Sequence, residues 1–408
     1  MEKFETVVIG AGPSGCFSSI FAKEKGRKVA LIEKNKIIGK KIFLTGNGRC
    51  NLTNLNSLDD FIKNYRNGKF LINAFSRFLN TDLINFFEEN GLKLKVERGK
   101  RVYPLSDNAG DVVKTLRKII DRRNITLFLK SPVKNIEKEK EFFLVETDKH
   151  KILTEKVVIA TGGKSFPDTG SDGDGYKWAK KFGHKIYGPF PALCGIEILE
   201  KEIVKQWQGV TLKNVEIKAC LNNKIIGEEF GEVLFTHYGI SGPAVLNLSG
   251  DVSENSKKGE ITVSINFKPA LNYEKLNKRL VREFSANPNK EIKNIFKNLL
   301  PKRIINQFLN YCSISGEKKA NQITKNERKI LVSRLSSFSL TVEKVRNFFD
   351  SMVTRGGVYV NEINPKTMES KIVRNLYFAG EIIDFDGKTG GYNLQACFST
   401  GYIAGISQ

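Results

Sequence analysis

The 408-residue sequence has no apolar stretch close to the roughly 20 residues that a membrane-spanning helix needs. Its first β-branched run begins at Thr6, which leaves no room for a secretory signal before it. None of its six cysteines stands in a C-x-x-C pair. These absences predict a cytoplasmic protein with reduced thiols and no membrane association, and no metal site is predicted.

Arginine is missing from residues 124–278, although the formal net charge is +22. Lysine supplies most of this charge and is spread along the chain, whereas nucleic-acid surfaces rely on arginine and on clustered basic patches. The nearest approach to a cluster, LRKIIDRRN at 116–124, predicts a solvated helix face. The sequence therefore argues against specific nucleic-acid binding, and a polyanionic partner such as RNA stays open as an alternative.

A short β-branched run is followed by three glycines with the spacing of a dinucleotide loop, Gly10, Gly12 and Gly15. The flanking pattern predicts a buried strand before the loop and a helix after it, with a second strand at 28–32 that ends in Glu33. In such a fold the glycines admit a pyrophosphate to the helix N-terminus, and the acid accepts hydrogen bonds from a ribose. The sequence therefore predicts an adenine-dinucleotide site.

A further buried strand, at 156–160, ends in the sequence ATGG. Ligands of doubly wound sheets lie at the carboxyl ends of strands, so Thr161 and Gly162 are expected beside the same cofactor. The later GSDGDG, at 170–175, does not follow a strand. It predicts a loop that enters a helix rather than a second dinucleotide fingerprint.

The segment IIGKKIFLTGNGRCNLTN, at 37–54, has too few periodic apolar residues for a helix and too many glycines for a strand. It is either a flexible connection or a backbone cradle for a ligand. Beyond it, helical periodicity predicts amphipathic helices over 68–90 and 107–123, with a short hairpin between them.

The middle of the chain differs in pattern from both ends. Residues 189–270 alternate with a period of two, which predicts an antiparallel sheet or small barrel, and residues 271–350 have helical periodicity. A strand at 375–384 then runs into glycine, as the strands of the first domain do. We therefore predict an α/β fold in which one domain, 1–188 and 351–408, is interrupted by a β-rich insert and a helical insert.

The C-terminal segment narrows the choice of cofactor. A strand ends at Gly380 and Glu381, Asp384 follows in a loop, and Gly391 opens a helix rich in small residues. A helix N-terminus aimed at a flavin would stabilise the negative charge that develops at its N1–C2=O edge on reduction. The alternative is a helix that only covers the sheet. A glycine-lined loop, an acid and a helix start that return to the first domain favour a flavin.

The sequence resembles the YhiN/BaiN family of FAD-dependent oxidoreductases in six motifs, GAGPSG, TGNGRCNLTN, ATGG, LFTHYGISGP, TMES and FAGEIIDFDGKTGGYNLQACFSTGYIAG, which span nearly the whole chain in order. The resemblance implies a Rossmann-like FAD-binding domain of the glutathione-reductase type, interrupted by an insert with a small β-barrel and a helical part. It implies FAD as cofactor. NAD(P)H, if used, would dock transiently or on a non-Rossmann surface, since the chain has no second fingerprint.

The resemblance also implies which residues meet each part of FAD. The pyrophosphate would lie against Gly10, Gly12, Pro13, Ser14, Gly15, Thr161 and Gly162. The adenosine half and nearby phosphates would lie against Glu33, Lys34, Lys40 and Val133. The flavin would be lined by Thr45, Gly46, Asn47, Gly48, Arg49, Cys50 and Asn51. The ribityl–phosphate region and the pyrimidine edge would meet Gly380, Glu381, Asp384, Gly391, Tyr392, Asn393 and Leu394. The family often has glycine at position 47, and asparagine can also adopt a left-handed backbone conformation.

Few side chains stand out as catalytic acids or bases. His237, in LFTHYGISGP, is the best candidate to protonate a substrate opposite the flavin, and its alternative role is a hydrogen bond that fixes the insert. Cys50 beside the flavin loop suggests a redox thiol, which the absence of a partner cysteine weakens. His184 is expected at the surface. Arg101 and Tyr103 either face the substrate pocket or pack within the hairpin.

The leading hypothesis is a FAD-dependent oxidoreductase that acts on a small organic molecule by hydride transfer at flavin N5, with NAD(P)H as electron donor. The resemblance implies activities such as reduction of carbon–carbon double bonds in steroid-like acids, or oxidation of small amines like aminoacetone. Two rival hypotheses are a flavoprotein that modifies tRNA or another RNA, suggested by the net charge, and a redox sensor without turnover. The substrate and the oligomeric state stay open.

Overall fold

The computed structural model describes all 408 residues, which form two compact units. Unit 1 comprises Met1–Phe190 and Ser351–Gln408, and unit 2 comprises Pro191–Asp350. Each unit has a hydrophobic core of its own. None of the helices combines the length and the apolar character required to cross a membrane.

The first segment of unit 1 alternates strands with helices. Its strands are β1 Glu2–Ile9, β2 Val29–Ile32, β3 Thr53–Asn54, β4 Tyr65–Arg66, β5 Leu94–Glu97, β6 Arg101–Pro104, β7 Thr126–Phe128, β8 Val133–Glu139, β9 Phe142–Thr147, β10 Lys151–Ile159 and β11 Ile186–Ala192, whose last two residues belong to unit 2. Its α-helices are α1 Pro13–Glu24, α2 Leu58–Ile62, α3 Ile72–Arg77, α4 Asn80–Glu89, α5 Ala109–Arg122 and α6 Asp174–Lys181. Short 3₁₀ segments lie at Lys40–Gly48, Gly68–Leu71 and Pro167–Thr169.

Unit 2 is built on a closed barrel of six antiparallel strands with helices inserted between them. Its strands are β12 Ile196–Ile198, β13 Thr211–Leu221, β14 Lys224–Phe235, β15 Gly239–Ser241, β16 Ile261–Asn266 and β17 Phe338–Val345, and the order around the barrel is β12-β15-β14-β13-β16-β17. Its α-helices are α7 Lys201–Trp207, α8 Pro243–Asn255, α9 Tyr273–Ala286, α10 Ile292–Ile295, α11 Ile305–Tyr311 and α12 Lys325–Ser336. Short 3₁₀ segments lie at Phe296–Asn298, Lys302–Ile304 and Ala320–Gln322. The predicted small barrel is confirmed.

The chain then returns to unit 1. This segment contains β18 Val353–Val358, a 3₁₀ turn at Val360–Glu362, β19 Leu376–Phe378, β20 Asp386–Gly387 and α13 Tyr392–Ile406. Strand β19 pairs in parallel with the end of β10, so the predicted return of the chain to the first sheet is confirmed. Helix α13 packs on α1, and the Ser18 hydroxyl donates to the Gly401 carbonyl at 3.1 Å.

The main sheet of unit 1 runs in the order β7-β2-β1-β10-β9-β8, and β19 also pairs with β10. Five of these strands, β7, β2, β1, β10 and β19, are parallel, whereas β9 and β8 are antiparallel additions. Parallel strands are buried on both faces, which explains the continuous apolar character of β2 and of residues 7–9 at the end of β1. The carboxyl ends of the parallel strands meet at one edge, where a ligand is expected.

Two predicted elements differ in the structure. The helix predicted over 68–90 is broken at Phe78, whose backbone is extended, because the Asp82 carboxylate accepts from the Leu79 N–H at 2.8 Å and starts a new helix. Residues 338–345, predicted within a helical region, form strand β17, where Phe338 and Leu340 alternate into the barrel core. The hairpin of β5 and β6 and the helix predicted over 107–123 are present.

Candidate cofactor and active site

A cleft with an empty volume of about 790 Å³ opens at the carboxyl ends of β1, β2 and β10. It brings together eleven of the predicted cofactor residues, namely Gly10, Gly12, Pro13, Ser14, Glu33, Lys34, Lys40, Val133, Thr161, Gly162 and Glu381. These residues come from five separate places in the chain. Their meeting is a consequence of the parallel sheet, which collects the ends of its strands at one edge.

The glycine loop packs closely on the sheet at one glycine and leaves open space at another. A Cβ built on Gly15 would lie 1.8 Å from the Gly10 carbonyl oxygen, so only glycine allows α1 to approach β1. A Cβ built on Gly12 would meet no protein atom within 4 Å. Gly12 also precedes α1 without a side-chain cap, and no acidic residue lies in the first turn of this helix. The open space and the free helix start fit a phosphate group.

Glu33 is buried at the end of β2 and is held by backbone and side-chain donors. Its Oε2 accepts from the Ala11 N–H at 2.8 Å, and its Oε1 accepts from the Asn35 N–H at 2.8 Å and from Asn35 Nδ2 at 2.7 Å. A carboxylate has about four acceptor positions, so Oε2 retains one. The carboxylate is thus fixed at the cleft wall with capacity for a ribose hydroxyl.

Two buried hydroxyl groups in the cleft wall have no hydrogen-bond partner. These are Thr161 Oγ1 and Ser171 Oγ, and a Cβ built on Gly162 would lie 2.9 Å from the latter. An unsatisfied buried polar group costs about 1–3 kcal/mol, so a polar ligand in the cleft would recover this free energy. Together with the open space at Gly12, these hydroxyls fit the pyrophosphate and ribose of a dinucleotide such as FAD.

Lys34 and Lys40 border the cleft, but their ammonium groups bind protein acceptors. Lys34 Nζ lies 2.8 Å from carboxylate oxygens of both Asp172 and Asp174, and Lys40 Nζ donates to the Asp168 carbonyl at 2.5 Å. Burial acts to lower the pKa of Lys34, yet the two aspartates outweigh it and the pKa is raised. Both lysines therefore organise the 168–174 loop beside the cleft.

A partly buried ion pair in the cleft wall was not predicted from the sequence. Lys41 Nζ lies 2.7 Å from Glu381 Oε2, while Glu381 Oε1 accepts from the Ser165 hydroxyl at 2.7 Å and from the Thr354 N–H at 3.0 Å. Burial acts to raise the pKa of Glu381, but the Lys41 ammonium and these hydrogen bonds lower it below its usual range. The sequence signal was the double lysine in GKKIF, from which only Lys40 was selected.

The remaining predicted cofactor residues do not line this cleft; they are Gly15, Thr45, Gly46, Asn47, Gly48, Arg49, Cys50, Asn51, Gly380, Asp384, Gly391, Tyr392, Asn393 and Leu394. Some of them meet each other instead. The Asn51 amide, oriented to donate to the Thr53 and Val102 carbonyls at 3.0 and 3.2 Å, accepts from the Gly391 N–H at 3.0 Å. Asn51, at the end of the 45–51 loop, and the start of α13 are therefore adjacent, although they are 340 positions apart in the sequence.

The backbone of the 45–51 loop is irregular. Asn47 has a φ of 56°, which confirms that asparagine adopts the left-handed conformation here, and Gly46 has the same φ. Beyond the loop, the Asn393 side chain closes the turn before α13, accepting from the Gly387 N–H at 2.8 Å and donating to its carbonyl at 2.7 Å. Tyr392 is buried, and its hydroxyl accepts from Asn56 Nδ2 at 2.7 Å.

Arg49 and Asp384 are engaged in ion pairs. Arg49 binds Glu97 and lies 2.7 Å from Asp107, and its guanidinium is 4.2 Å from the centre of the Tyr103 ring. Tyr103 is buried, which supports the packing role that was one of its two predicted alternatives. Asp384 is buried and its carboxylate lies 2.5 Å from Arg66 Nη1.

The thiols give no support to a redox role. All six cysteines are free, and Cys50 is fully buried. Burial raises the pKa of Cys50 to about 12, and it raises that of Cys397, in the cleft wall, to about 12 as well. Both thiols are therefore protonated near neutral pH and are poor nucleophiles. No group of His, Cys, Asp and Glu side chains could hold a metal ion.

The two histidines considered from the sequence differ in environment. His184 was predicted at the surface, and this is wrong: it is 3% exposed, with Nδ1 3.2 Å from Glu362 Oε2 and Nε2 2.8 Å from the Ser370 hydroxyl. Burial lowers its pKa, and its contacts fasten the 360–370 segment to the end of α6. His237 is exposed between β14 and β15 of unit 2, with its ring against Tyr238 and no side-chain hydrogen bond.

Known proteins resemble this chain over nearly its whole length. The family model described as "HI0933-like protein Rossmann domain" matches residues 4–407. The 3-dehydro-bile acid delta(4,6)-reductase of Clostridium scindens is 31% identical over 401 residues, which covers 98% of this chain and 97% of the relative. The ribosomal RNA dihydrouridine synthase of Escherichia coli is 33% identical over 405 residues, with the same coverage of 98% and 97%.

Solved structures support the fold. The 3-ketosteroid-delta4-(5alpha)-dehydrogenase from Rhodococcus jostii RHA1 matches with a TM-score of 0.52 at 12% sequence identity, covering 100% of this chain and 96% of that chain. The motifs, the cleft and the full-length family match lead to one conclusion. The chain belongs to the HI0933-like family, which is the YhiN/BaiN family of FAD-dependent oxidoreductases.

Proposed function

We propose that the protein is a FAD-dependent reductase that adds hydrogen across a carbon–carbon double bond in a small organic substrate, with NAD(P)H as electron donor. The observation that carries this proposal is that a relative matched over nearly its whole length is named as a reductase of a small molecule, a 3-dehydro-bile acid. A second relative, matched as fully, is named a ribosomal RNA dihydrouridine synthase, so its name shares the saturation of a double bond but not the small substrate. The cleft of unit 1 supports the cofactor part of the proposal, because it offers a phosphate cradle and unpaired hydroxyl groups.

In this proposal, the cleft holds the adenosine and pyrophosphate half of FAD. The N-terminus of α1 and the open space at Gly12 receive the pyrophosphate, and Thr161 and Ser171 donate their unpaired hydroxyls. Glu33 accepts from the adenosine ribose. Its negative charge disfavours a ribose that carries a 2′-phosphate.

The flavin half is assigned to the residues around Asn51 and Gly391. When bound, FAD supplies a hydride at N5 of its ring system. Helix α13 begins at Gly391 without a side-chain cap or an acidic residue in its first turn, so its N–H groups offer positive partial charge to the pyrimidine edge. The Lys41 ammonium adds a fixed positive charge to the same domain, and Glu381 holds it in place.

A proton is also needed, because hydride addition to one carbon of the double bond leaves negative charge on the rest of the conjugated group. We assign this proton to His237. The alternative role of His237 was a hydrogen bond that fixes the insert, but its side chain makes no hydrogen bond in the structure.

His237→Asn should slow substrate reduction by about 100-fold or more, while the reduction of FAD by NAD(P)H is unchanged. His150→Asn is the matched control, and wild-type turnover in His237→Asn would remove this assignment.

A second candidate function is the reduction of a base in RNA. The net charge of +22 and the name of the Escherichia coli relative both favour it. It predicts binding of RNA that weakens steeply with salt, because lysines that neutralise phosphates release counterions. A shallow salt response would leave the small-molecule proposal as the better one.

The first test is the visible absorption spectrum of the purified protein during anaerobic titration with NADH and then NADPH. A yellow protein that one of them bleaches, and that a conjugated enone then reoxidises, would support the proposal and identify donor and acceptor. Reoxidation by uridine-containing RNA and not by the enone would support the second candidate function instead. A yellow protein that neither donor reduces would contradict the proposed donor. A protein that takes up no FAD would contradict the cofactor site.

A further inference from the structure

Unit 2 contains a second cleft that the proposed function does not use. It lies between the start of β13, the end of β16 and the chain before the 3₁₀ turn at Lys302–Ile304, and its empty volume is about 690 Å³. Its walls combine apolar side chains with polar ones. The lining residues are Thr211, Leu212, Lys213, Val215, Phe267, Lys268, Lys297, Asn298, Leu299, Leu300 and Pro301.

The charged side chains of this cleft are all positive. Lys213, Lys268 and Lys297 line it, and no aspartate or glutamate does. None of these three ammonium groups takes part in an ion pair, although many lysines elsewhere in the chain do. The surrounding sequence also has an excess of positive charge, since residues 261–334 contain 16 Lys and Arg against 5 Asp and Glu.

The environment of Lys268 disfavours the positive charge of its side chain. The residue is half-buried, and burial followed by repulsion from Arg279 lowers its pKa. Arg279 itself has a buried Nε without a hydrogen-bond partner, and its ion pair with Glu283 is long, with 4.0 Å between Nε and the carboxylate oxygen. Uncompensated positive charge at a partly dry site is stabilised by a bound anion.

We propose that this cleft is a phosphate-binding site. Three unpaired lysines match the two negative charges of a phosphate monoester or two successive phosphodiesters, and the Asn298 and Thr211 side chains add polar groups. The apolar part of the wall suits the organic portion of a phosphorylated compound. The phosphate belongs either to a free phosphorylated molecule or to an RNA strand, and the two sources share this recognition chemistry.

The test uses the FAD-loaded enzyme, so that the cofactor cleft of unit 1 does not capture the probe. The variant K213E/K297E changes only the two exposed lysines and leaves the half-buried Lys268 in place to protect the fold. The control K224E/K257E makes the same charge change at exposed lysines of unit 2 that lie outside the cleft. Binding is measured for inorganic pyrophosphate by calorimetry and for a labelled 12-nucleotide single-stranded RNA by anisotropy.

K213E/K297E should weaken binding at least tenfold, and the control should change it less than twofold. For RNA, the slope of log affinity against log salt should also fall by about 1.4, since each neutralised phosphate of a single strand contributes about 0.7. An effect on pyrophosphate alone assigns the site to a free phosphorylated compound, and an effect on RNA assigns it to a strand. Equal binding by wild type, variant and control overturns the proposal. These are binding measurements, so their outcome does not depend on whether the reductase proposal holds.

Discussion

Gly12 and Gly15 of the glycine loop should respond differently to substitution, because Gly12 faces open space whereas Gly15 packs against the Gly10 carbonyl. Gly12→Val places its side chain in the open space of the cleft, where no protein atom lies within 4 Å of the new Cβ. We therefore expect this variant to fold normally and to lose FAD, since the side chain occupies the space of the pyrophosphate. Flavin content from absorbance, together with the far-ultraviolet circular dichroism spectrum, measures both properties.

Gly15→Ala is the contrasting control, because its Cβ would lie 1.8 Å from the Gly10 carbonyl oxygen. This variant should lose structure as well as flavin. Normal flavin content in Gly12→Val would contradict the placement of the cofactor in this cleft.

The partly buried pair of Lys41 and Glu381 makes stability depend on pH. The pKa of Glu381 is lower in the folded protein than its ordinary value of 4.5, so the charged pair stabilises the fold above that pH and the stabilisation is lost as the pH falls through the folded pKa. Glu381→Gln leaves Lys41 without its ionic partner and should cost about 1–3 kcal/mol at pH 7, because the pair is partly buried. Urea unfolding of the FAD-free protein at pH 7, 5, 4 and 3 measures the difference.

The difference between wild type and Glu381→Gln should begin to narrow below about pH 4.5, where the carboxylate of the unfolded chain takes up a proton, and should vanish once the pH lies below the folded pKa and the folded carboxylate is neutral as well. Glu137→Gln, at an exposed position of unit 1, should change stability little at any of these pH values. If the difference in unfolding free energy between wild type and Glu381→Gln stayed constant from pH 7 to pH 3, the charge of Glu381 would not be what stabilises the fold.

At the scale of elements, sequence patterns correctly predicted the strands, helices and loops whose formation depends on residues close together in the chain. The glycine loop, its strand and its helix follow from the spacing of Gly10, Gly12 and Gly15, and the return of the C-terminal strand to the sheet follows from its apolar run. The break at Phe78 was missed because helical periodicity continues across it, and a single aspartate at the right position overrides that pattern. Strand β17 was missed because its apolar alternation directly follows a helix.

The contacts that build the site were less predictable than the elements. Lys41, Ser165, Thr354 and Glu381 meet only because four chain segments converge at the cleft, and no spacing in the sequence records such a meeting. The burial of His184 has the same origin, since its partners lie 178 and 186 positions away. Sequence patterns thus indicate which residue types a site contains, whereas the topology decides which of them touch.

At the scale of the whole molecule, two hydrophobic cores imply two parts whose stabilities respond differently to the cofactor. FAD that binds only the folded cleft of unit 1 should stabilise this unit by mass action, by about 2.7 kcal/mol at a free concentration 100 times the Kd. Amides of β1, β2 and β10 should then exchange about 100-fold more slowly with solvent deuterium, while those of β13 and β14 in the separate barrel core should change far less.

Hydrogen exchange followed by mass spectrometry of peptides from both units measures this without any substitution. Gly12→Val is the control, and its exchange should be insensitive to FAD in both units. Equal slowing in the barrel and in the sheet would mean that the two cores unfold as one cooperative structure. No slowing in either would mean that the cleft at the carboxyl ends of β1, β2 and β10 does not bind FAD, and the cofactor assignment would fall with it.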